Sequence, residues 1–166
     1  MGGGMSNVNN LTKVKDTYVK DRKGVLLRLL RYVMDFPAYT EGYATYAEIY
    51  SYRYTGASDI EVSILQNNAI STHCLYALCD IGIHYEHWSM EQLSNFLKAH
   101  GVLEEESAKN LYDTIIDSPG SYLPYTLGYL QIEELRRNFS SDIEFHTYLL
   151  KMGPTSFCIL QQYLFS

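Results

Sequence analysis

The sequence predicts an all-α fold of about seven or eight helices with no substantial sheet. Apolar residues recur at intervals of three and four through most of the 166 residues, which is the spacing of one helix face. Serine capping residues and glycine or proline stops separate these stretches at helix-like lengths. Strand-like alternation is nowhere sustained, and the sequence holds no Asn-Gly or Asp-Gly pair of the kind that closes hairpins.

The first half of the chain divides into three predicted helices. The first ends near the Phe36-Pro37 step, because the residue before a proline is pushed out of the helical region. A second is predicted over residues 38–54, since Gly56 is a typical helix stop. Asp59 then caps a long third helix, whose continuous apolarity towards its end predicts a buried central helix. The apolar band of the first helix consists of Leu26, Leu27, Leu29, Leu30 and Val33.

The sequence of the second half of the chain predicts shorter helices with clearer boundaries. Capping boxes at Ser89 and Ser141 begin two of them, with Gln92 and Glu144 three residues further on. Three glutamates at 104–106 place acid at the start of another, where it complements the helix dipole. The predicted stops and turns lie at His100-Gly101, at residues 117–120 and at Gly153-Pro154.

The composition indicates a folded chain and argues against general nucleic-acid binding. Hydrophobic residues make up 46% and charged residues 19%, so the chain can bury a core. Thirteen Lys and Arg against nineteen Asp and Glu give a net charge of −6, whereas nucleic-acid binders usually show a basic face. No uninterrupted apolar run reaches the roughly 18 residues of a membrane span. We therefore expect no nucleic-acid partner and no transmembrane segment.

The chain is expected to form one domain over residues 11–166. Residues 1–10, which begin Met-Gly-Gly-Gly-Met, resemble an engineered junction or a disordered start. The three cysteines, Cys74, Cys79 and Cys158, are odd in number and show no Cys-x-x-Cys spacing. They favour buried free thiols over a disulfide scaffold or a zinc knuckle.

Two glutamates on the second predicted helix form the most informative pattern. Glu41 and Glu48 are seven residues apart, so they differ by only about 20° around a helix axis and share a face. Gly42 beside them costs about 1 kcal/mol relative to alanine in a helix, which suggests that another element packs closely there. The spacing fits either an amphipathic helix with two solvated acids or a pair of inward-facing carboxylates that serve a metal.

Residues 39–48 resemble the Tyr-x-Glu-Gly-Trp-Ala-x-Tyr-x-Glu signature of a large bacterial family long catalogued as a domain of unknown function. The family has a predominantly helical, zincin-like fold. The resemblance spans nearly everything from Arg28 to Leu164, in the family's order and at similar spacing. Its further blocks are residues 78–85 with Trp88, residues 121–129, residues 144–146 and residues 149–154.

The resemblance implies a zinc metallopeptidase of the gluzincin type. It implies Glu41 as the third zinc ligand and Glu48 as a support for that ligand, as on a similar helix in the thimet oligopeptidase family. Tyr125 and Tyr129 are the implied hydrogen-bond donors to the oxyanion, in that order of preference. Taken alone, the two tyrosines also fit a core stripe with polar tips. His146 either reaches the cleft or stabilises its own helix.

The sequence departs from the family at the decisive point. It contains neither HExxH nor His-Glu-x-x-Pro-Gly-His, and in the family that motif lies shortly before the region that matches residues 10–30. We therefore expect the C-terminal segment of a longer enzyme, with zinc and a peptide substrate in the full-length parent. This chain alone is expected neither to bind zinc tightly nor to hydrolyse peptides, because catalytic zinc needs three protein ligands.

Two further expectations follow from that departure. The alternative function is a non-catalytic helical module that binds peptides or a protein and has lost the metal centre. A severed segment would expose apolar surface, so its partners would be the missing N-terminal part of the domain, a second copy or an aggregate. The compartment stays open between a cytoplasmic enzyme and a bacterial lipoprotein.

The remaining histidines suggest structural roles more than metal ligation. His84 follows Asp80 by four residues, which predicts a local hydrogen bond or ion pair. His84 and His87 are close enough on one face to share a metal, although the family generally has glycine at the second position. His73 lies in an apolar helix and fits a core histidine, and His87 is expected to be exposed.

Overall fold

Seven α-helices and one short 3₁₀ helix account for most of residues 33–164, the part of the chain that the computed structural model describes. No strand occurs in this described part, which confirms the all-α prediction. The first predicted helix, which was expected to end near the Phe36-Pro37 step, lies outside the described residues up to residue 32. The helices are α1 (Pro37–Ser51), the 3₁₀ helix (Tyr52–Tyr54), α2 (Asp59–His84), α3 (Met90–Ala99), α4 (Glu105–Asp117), α5 (Leu123–Arg136), α6 (Asp142–Met152) and α7 (Phe157–Leu164).

Local capping explains most of the helix boundaries. Ser89 and Gln92 form the predicted capping box of α3. The box of α2 is formed by Ser58 and Glu61, so the prediction of Asp59 as the cap is wrong by one residue. Asp59 instead lies in the first turn, where its charge still favours the helix dipole. At α6 only the serine half forms, because the Glu144 carboxylate bonds Ser140 instead.

Two apolar clusters hold the helices of residues 36–164 together. The larger joins α1, α5, α6 and α7, and the smaller joins the end of α2 to α3 and α4. Two tyrosines satisfy their hydroxyls within the larger cluster: the buried Tyr39 donates to the Leu149 carbonyl at 2.9 Å, and the half-buried Tyr148 donates to the Leu160 carbonyl at 2.5 Å. A fully buried carboxylate, Asp80, accepts from the backbone N–H groups of Gly120 and Tyr122, which ties α2 to the loop before α5.

The long helix α2 is buried only in part. Its final two turns bury one face, with Cys79 and Ile83 in the smaller cluster, whereas Ile60 and Ile64 are 74% and 62% exposed. At about 1.5 Å per residue α2 is nearly twice as long as α5, so one partner helix cannot cover it. The expectation of a buried central helix is therefore right for its end alone.

The cysteines are all free, but they do not share one environment. Cys79 is buried, and burial raises the pKa of its thiol to about 11, so it stays protonated and unreactive at neutral pH. Cys74 is half-buried, and Cys158 is exposed. The prediction of buried free thiols is thus wrong for Cys158, which lies on the outer side of α7. Among the described residues, no helix is long and apolar enough to cross a membrane.

Candidate functional site

Two glycines, Gly42 and Gly128, allow the backbones of α1 and α5 to touch where the two helices cross. A Cβ atom on Gly42 would lie 2.5 Å from the Gly128 Cα and 2.8 Å from the Tyr129 nitrogen. A Cβ atom on Gly128 would overlap the carbonyl oxygen of Ala38. The two backbones therefore touch, which confirms the interpretation of Gly42 as a close-packing position and gives the matching role to Gly128.

This contact brings Glu41 of α1 to Tyr125 of α5, although the two residues are 84 positions apart in sequence. The Tyr125 hydroxyl lies beside the Glu41 carboxylate, and the interaction between the two raises the pKa of the phenol. Tyr125 therefore remains a neutral donor at physiological pH. Both side chains are half-buried rather than solvated. The first two predicted site residues thus lie in direct contact.

His73 of α2 is a third member of this site. Its imidazole lies parallel to the Tyr125 ring, with the centroids 6.2 Å apart and the planes at 8°. Thr126, the next residue on α5, donates its hydroxyl to the His73 carbonyl at 2.8 Å, which locks the register of the two helices. His73 was expected to be a core residue. No spacing in the sequence links it to Tyr125, because the two meet only through the packing of α2 on α5.

The other predicted site residues lie elsewhere. Tyr129, one turn after Tyr125, is buried, and burial followed by the nearby Glu133 charge raises its pKa. Glu48 is exposed two turns along α1 from Glu41 and accepts from the Tyr52 hydroxyl at 2.8 Å. His146 of α6 pairs its Nε2 with the Tyr46 hydroxyl at 2.8 Å.

The Tyr46–His146 pair belongs to a second polar cluster, between α1, α5 and α6. Burial is the main reason that the pKa of Tyr46 is raised to about 12. The Tyr50 ring packs edge-on against the imidazole of His146, and its hydroxyl donates to Asp142 at 2.9 Å. Arg136 donates to the same carboxylate from Nε at 3.0 Å and from Nη2 at 2.5 Å. This network fixes the start of α6.

Asp142 should make the free energy of unfolding depend on pH in the acidic range. The hydrogen bonds from Arg136 and then Tyr50 lower its pKa, so its contribution is present above the unfolded value of about 3.9 and is lost as the pH falls through the lower folded pKa. We expect Asp142→Asn to lower the free energy of unfolding at pH 7 by about 1–2 kcal/mol, after allowance for partial exposure. This loss should shrink towards pH 3. Urea titrations of the parent and the variant at pH 7 and pH 3 measure the difference in the free energy of unfolding.

Asp59→Asn is the matched control, because Asp59 occupies the same first-turn position of α2 without a side-chain hydrogen bond to another described side chain. It should cost only the few tenths of a kcal/mol of a helix-dipole interaction. Equal losses for the two variants, or a loss for Asp142→Asn that persists at pH 3, would contradict the role given to the Arg136 network.

Asp80 and His84 have the predicted local contact, and its role is structural. The His84 Nε2 lies 3.8 Å from the Asp80 carboxylate and 2.9 Å from the Ile115 carbonyl of α4. His84 therefore links α2 to α4 within the smaller cluster. His87 is exposed as expected, with a left-handed φ of 60° at the turn after α2. His84 thus joins two helices, and His87 lies in the turn that follows α2.

Residues 21–164 match the model of a family described as a bacterial protein of unknown function (DUF885). The chain belongs to this family. The match spans all seven helices of the described region and both polar clusters. Comparison with the curated proteins and with the solved structures gave no match.

Potential metal ligands lie apart from one another in the described part of this family member. Within residues 33–164, no three His, Cys, Asp or Glu side chains converge at a distance that would hold an ion. Glu41 offers one carboxylate, with the Tyr125 hydroxyl beside it. Catalytic zinc takes three protein ligands, so a zinc ion does not fit these residues alone.

Proposed function

We propose that this chain is the C-terminal segment of a zinc-dependent peptidase and supplies Glu41 as one metal ligand. The supporting observation is the Glu41–Tyr125 pair. A ligating carboxylate is normally held by a hydrogen-bond donor that fixes its orientation, and Tyr125 is such a donor. The sequence lacks an HExxH motif, so the proposal takes the two histidine ligands and the general base from a preceding part of the protein.

The chemistry that zinc supplies in such a site is the activation of water and the polarisation of a carbonyl. The residues of this chain have more limited roles in the proposal. Glu41 ligates, Tyr125 orients it and stays neutral as a donor, and Tyr129 keeps a second neutral hydroxyl one helical turn away. Glu48 bonds Tyr52 at the surface and His146 bonds Tyr46 in the second polar cluster, so neither has a direct role at Glu41 in this proposal.

The experiment that tests this proposal starts from the genomic reading frame. If the frame continues upstream of the Asn10 codon into a His-Glu-x-x-Pro-Gly-His stretch, the longer product should hydrolyse peptides and lose activity with a chelator. The 166-residue chain should show no such hydrolysis. A frame that starts at Met1 or Met5, or zinc-dependent cleavage by the short chain that is abolished by Glu41→Ala, would overturn the proposal.

A non-catalytic binding module is the second candidate, and one observation favours it. The sequence itself holds no pair of histidines on an HExxH helix, while α1, α2 and α5 still enclose a cavity beside Tyr129. A scaffold that kept the groove and lost the metal would bind peptides without cutting them. The upstream reading frame separates the two candidates.

Tyr125→Phe should lower kcat of the longer product by about 10–100-fold and change KM less, because it removes the hydroxyl that orients the proposed zinc ligand Glu41. Steady-state kinetics on a peptide substrate measure both parameters. Tyr85→Phe serves as the control, since Tyr85 is 81% exposed beyond the end of α2. A rise in KM at unchanged kcat would show that Tyr125 only packs.

A further inference from the structure

Beyond the Glu41 site, one side of α5 faces one side of α2. Tyr125, Tyr129 and Arg136 occupy positions i, i+4 and i+11, which fall on one side of a helix. On α2 the residues Gln66, Ile70 and His73 also share one side. His73 stacks on Tyr125, while Gln66 and Ile70 line a cavity with Tyr129 and Arg136. The two stripes therefore face each other, with the stacked rings of His73 and Tyr125 at one end and the cavity at the other.

The cavity between these stripes has a volume of about 190 Å³. At about 30 Å³ per water molecule it has room for roughly six waters, or for one terminal residue of a peptide. It begins one turn of α5, about 6 Å, beyond Tyr125. Its apolar wall is formed by Ile49, Ile70 and the rings of Tyr50 and Tyr129, and its polar groups are Arg53, Arg136, Gln66 and Glu133.

Arg53 is the polar group with spare hydrogen-bonding capacity. Its neighbour Arg136 is engaged by Asp142, and Gln66 donates to the Ile49 carbonyl at 3.0 Å. Arg53 lies 3.6 Å from the Asp142 carboxylate and donates no hydrogen bond to any residue in the described part of the chain. Its guanidinium stacks on the Tyr50 ring at 4.7 Å, which holds it in place at the cavity. Such a guanidinium is preorganised to bind a carboxylate.

We propose that this cavity binds the C-terminal carboxylate of a short peptide, with Arg53 as the donor and the Ile49–Ile70 wall against the last side chain. Glu133 on the cavity wall disfavours a doubly charged anion, so the site selects a monoanionic carboxylate over phosphate. The link to Glu41 rests on the proposed peptidase function. A peptide that extends back from Arg53 passes Tyr129 and reaches the Glu41–Tyr125 pair within a few residues.

The test is direct binding to the 166-residue chain, which needs neither zinc nor hydrolysis. Acetyl-Ala-Ala-Ala-Leu with a free carboxylate should bind at least about 10-fold more tightly than its C-terminal amide, measured by titration calorimetry. Arg53→Gln should remove that difference. Arg137→Gln should keep it, because Arg137 carries the same charge next to Arg136, pairs with Glu134 and does not line the cavity.

Equal affinity for the acid and the amide, absence of binding, or equal loss in both arginine variants would overturn the proposal. Competition by inorganic phosphate as strong as that by acetate would also overturn it, because it would indicate a general anion site. A positive result with no hydrolysis by the longer product would retain this site and reject the peptidase function. The two proposals therefore fail separately.

Discussion

Glu41→Gln should reduce peptide hydrolysis by the longer gene product more than about 100-fold. The amide keeps the size of the side chain but is a much poorer zinc ligand. Even mutation of a residue that hydrogen-bonds to a ligand typically lowers metal affinity or activity 10–100-fold. The fold should survive, because Glu41 is only half-buried at the edge of the α1–α5 contact. The measurement is kcat/KM on a peptide substrate, with circular dichroism as a check on folding.

Two further variants define the specificity of this effect. Glu106→Gln removes an exposed carboxylate from the first turn of α4 and should leave kcat/KM unchanged. Glu48→Gln should have a smaller effect than Glu41→Gln, because the Glu48 carboxylate bonds Tyr52 at the surface. If Glu41→Gln retained more than a tenth of the activity, Glu41 would not be a metal ligand.

Gly128→Ala should lower the free energy of unfolding by about 2–3 kcal/mol. Alanine is normally the better helix former by about 1 kcal/mol, so helix propensity alone would make this variant more stable. A loss of stability must therefore come from steric overlap of the added Cβ. The added Cβ overlaps the Ala38 carbonyl oxygen, which belongs to the backbone of α1 and cannot rotate away. The helices must separate, and overpacking of this kind costs 1–3 kcal/mol or more.

Thermal unfolding measures this loss, at about 2–4 °C per kcal/mol for a chain of this size. Gln131→Ala on the exposed side of α5 is the control and should change stability by less than about 0.5 kcal/mol. Because the crossing also sets Tyr125 beside Glu41, Gly128→Ala should lower the activity of the longer product as well. A variant as stable as the parent would show that α1 and α5 do not cross at the two glycines.

The helices were predictable because their boundaries depend on neighbours in sequence. Ser89 and Gln92 contain all the groups that a capping box needs, and the box forms as expected. Asp59 shows the limit of such reasoning, since Ser58 and Asp59 are both good caps and only the observed dihedral angles decide between them. Likewise, Gly42 indicated a close contact without identifying its partner, Gly128.

The site was predictable only where a motif or a helix period connected its parts. Glu41 and Tyr125 were each predicted as site residues, and the structure adds that they lie beside each other. His73 and Arg53 were missed. The first joins the site through packing of α2 on α5, and the second lies in a 3₁₀ turn where no pattern predicts its direction. Long-range packing leaves no periodic trace in a single sequence.

The zinc content of the longer gene product tests the central claim, that Glu41 is a metal ligand, most directly. After dialysis against metal-free buffer, we expect about one zinc per chain in the parent and in Glu106→Gln, and less than about a tenth in Glu41→Gln. Retention of zinc by Glu41→Gln at the level of the parent would contradict the claim, whatever the activity of the variant.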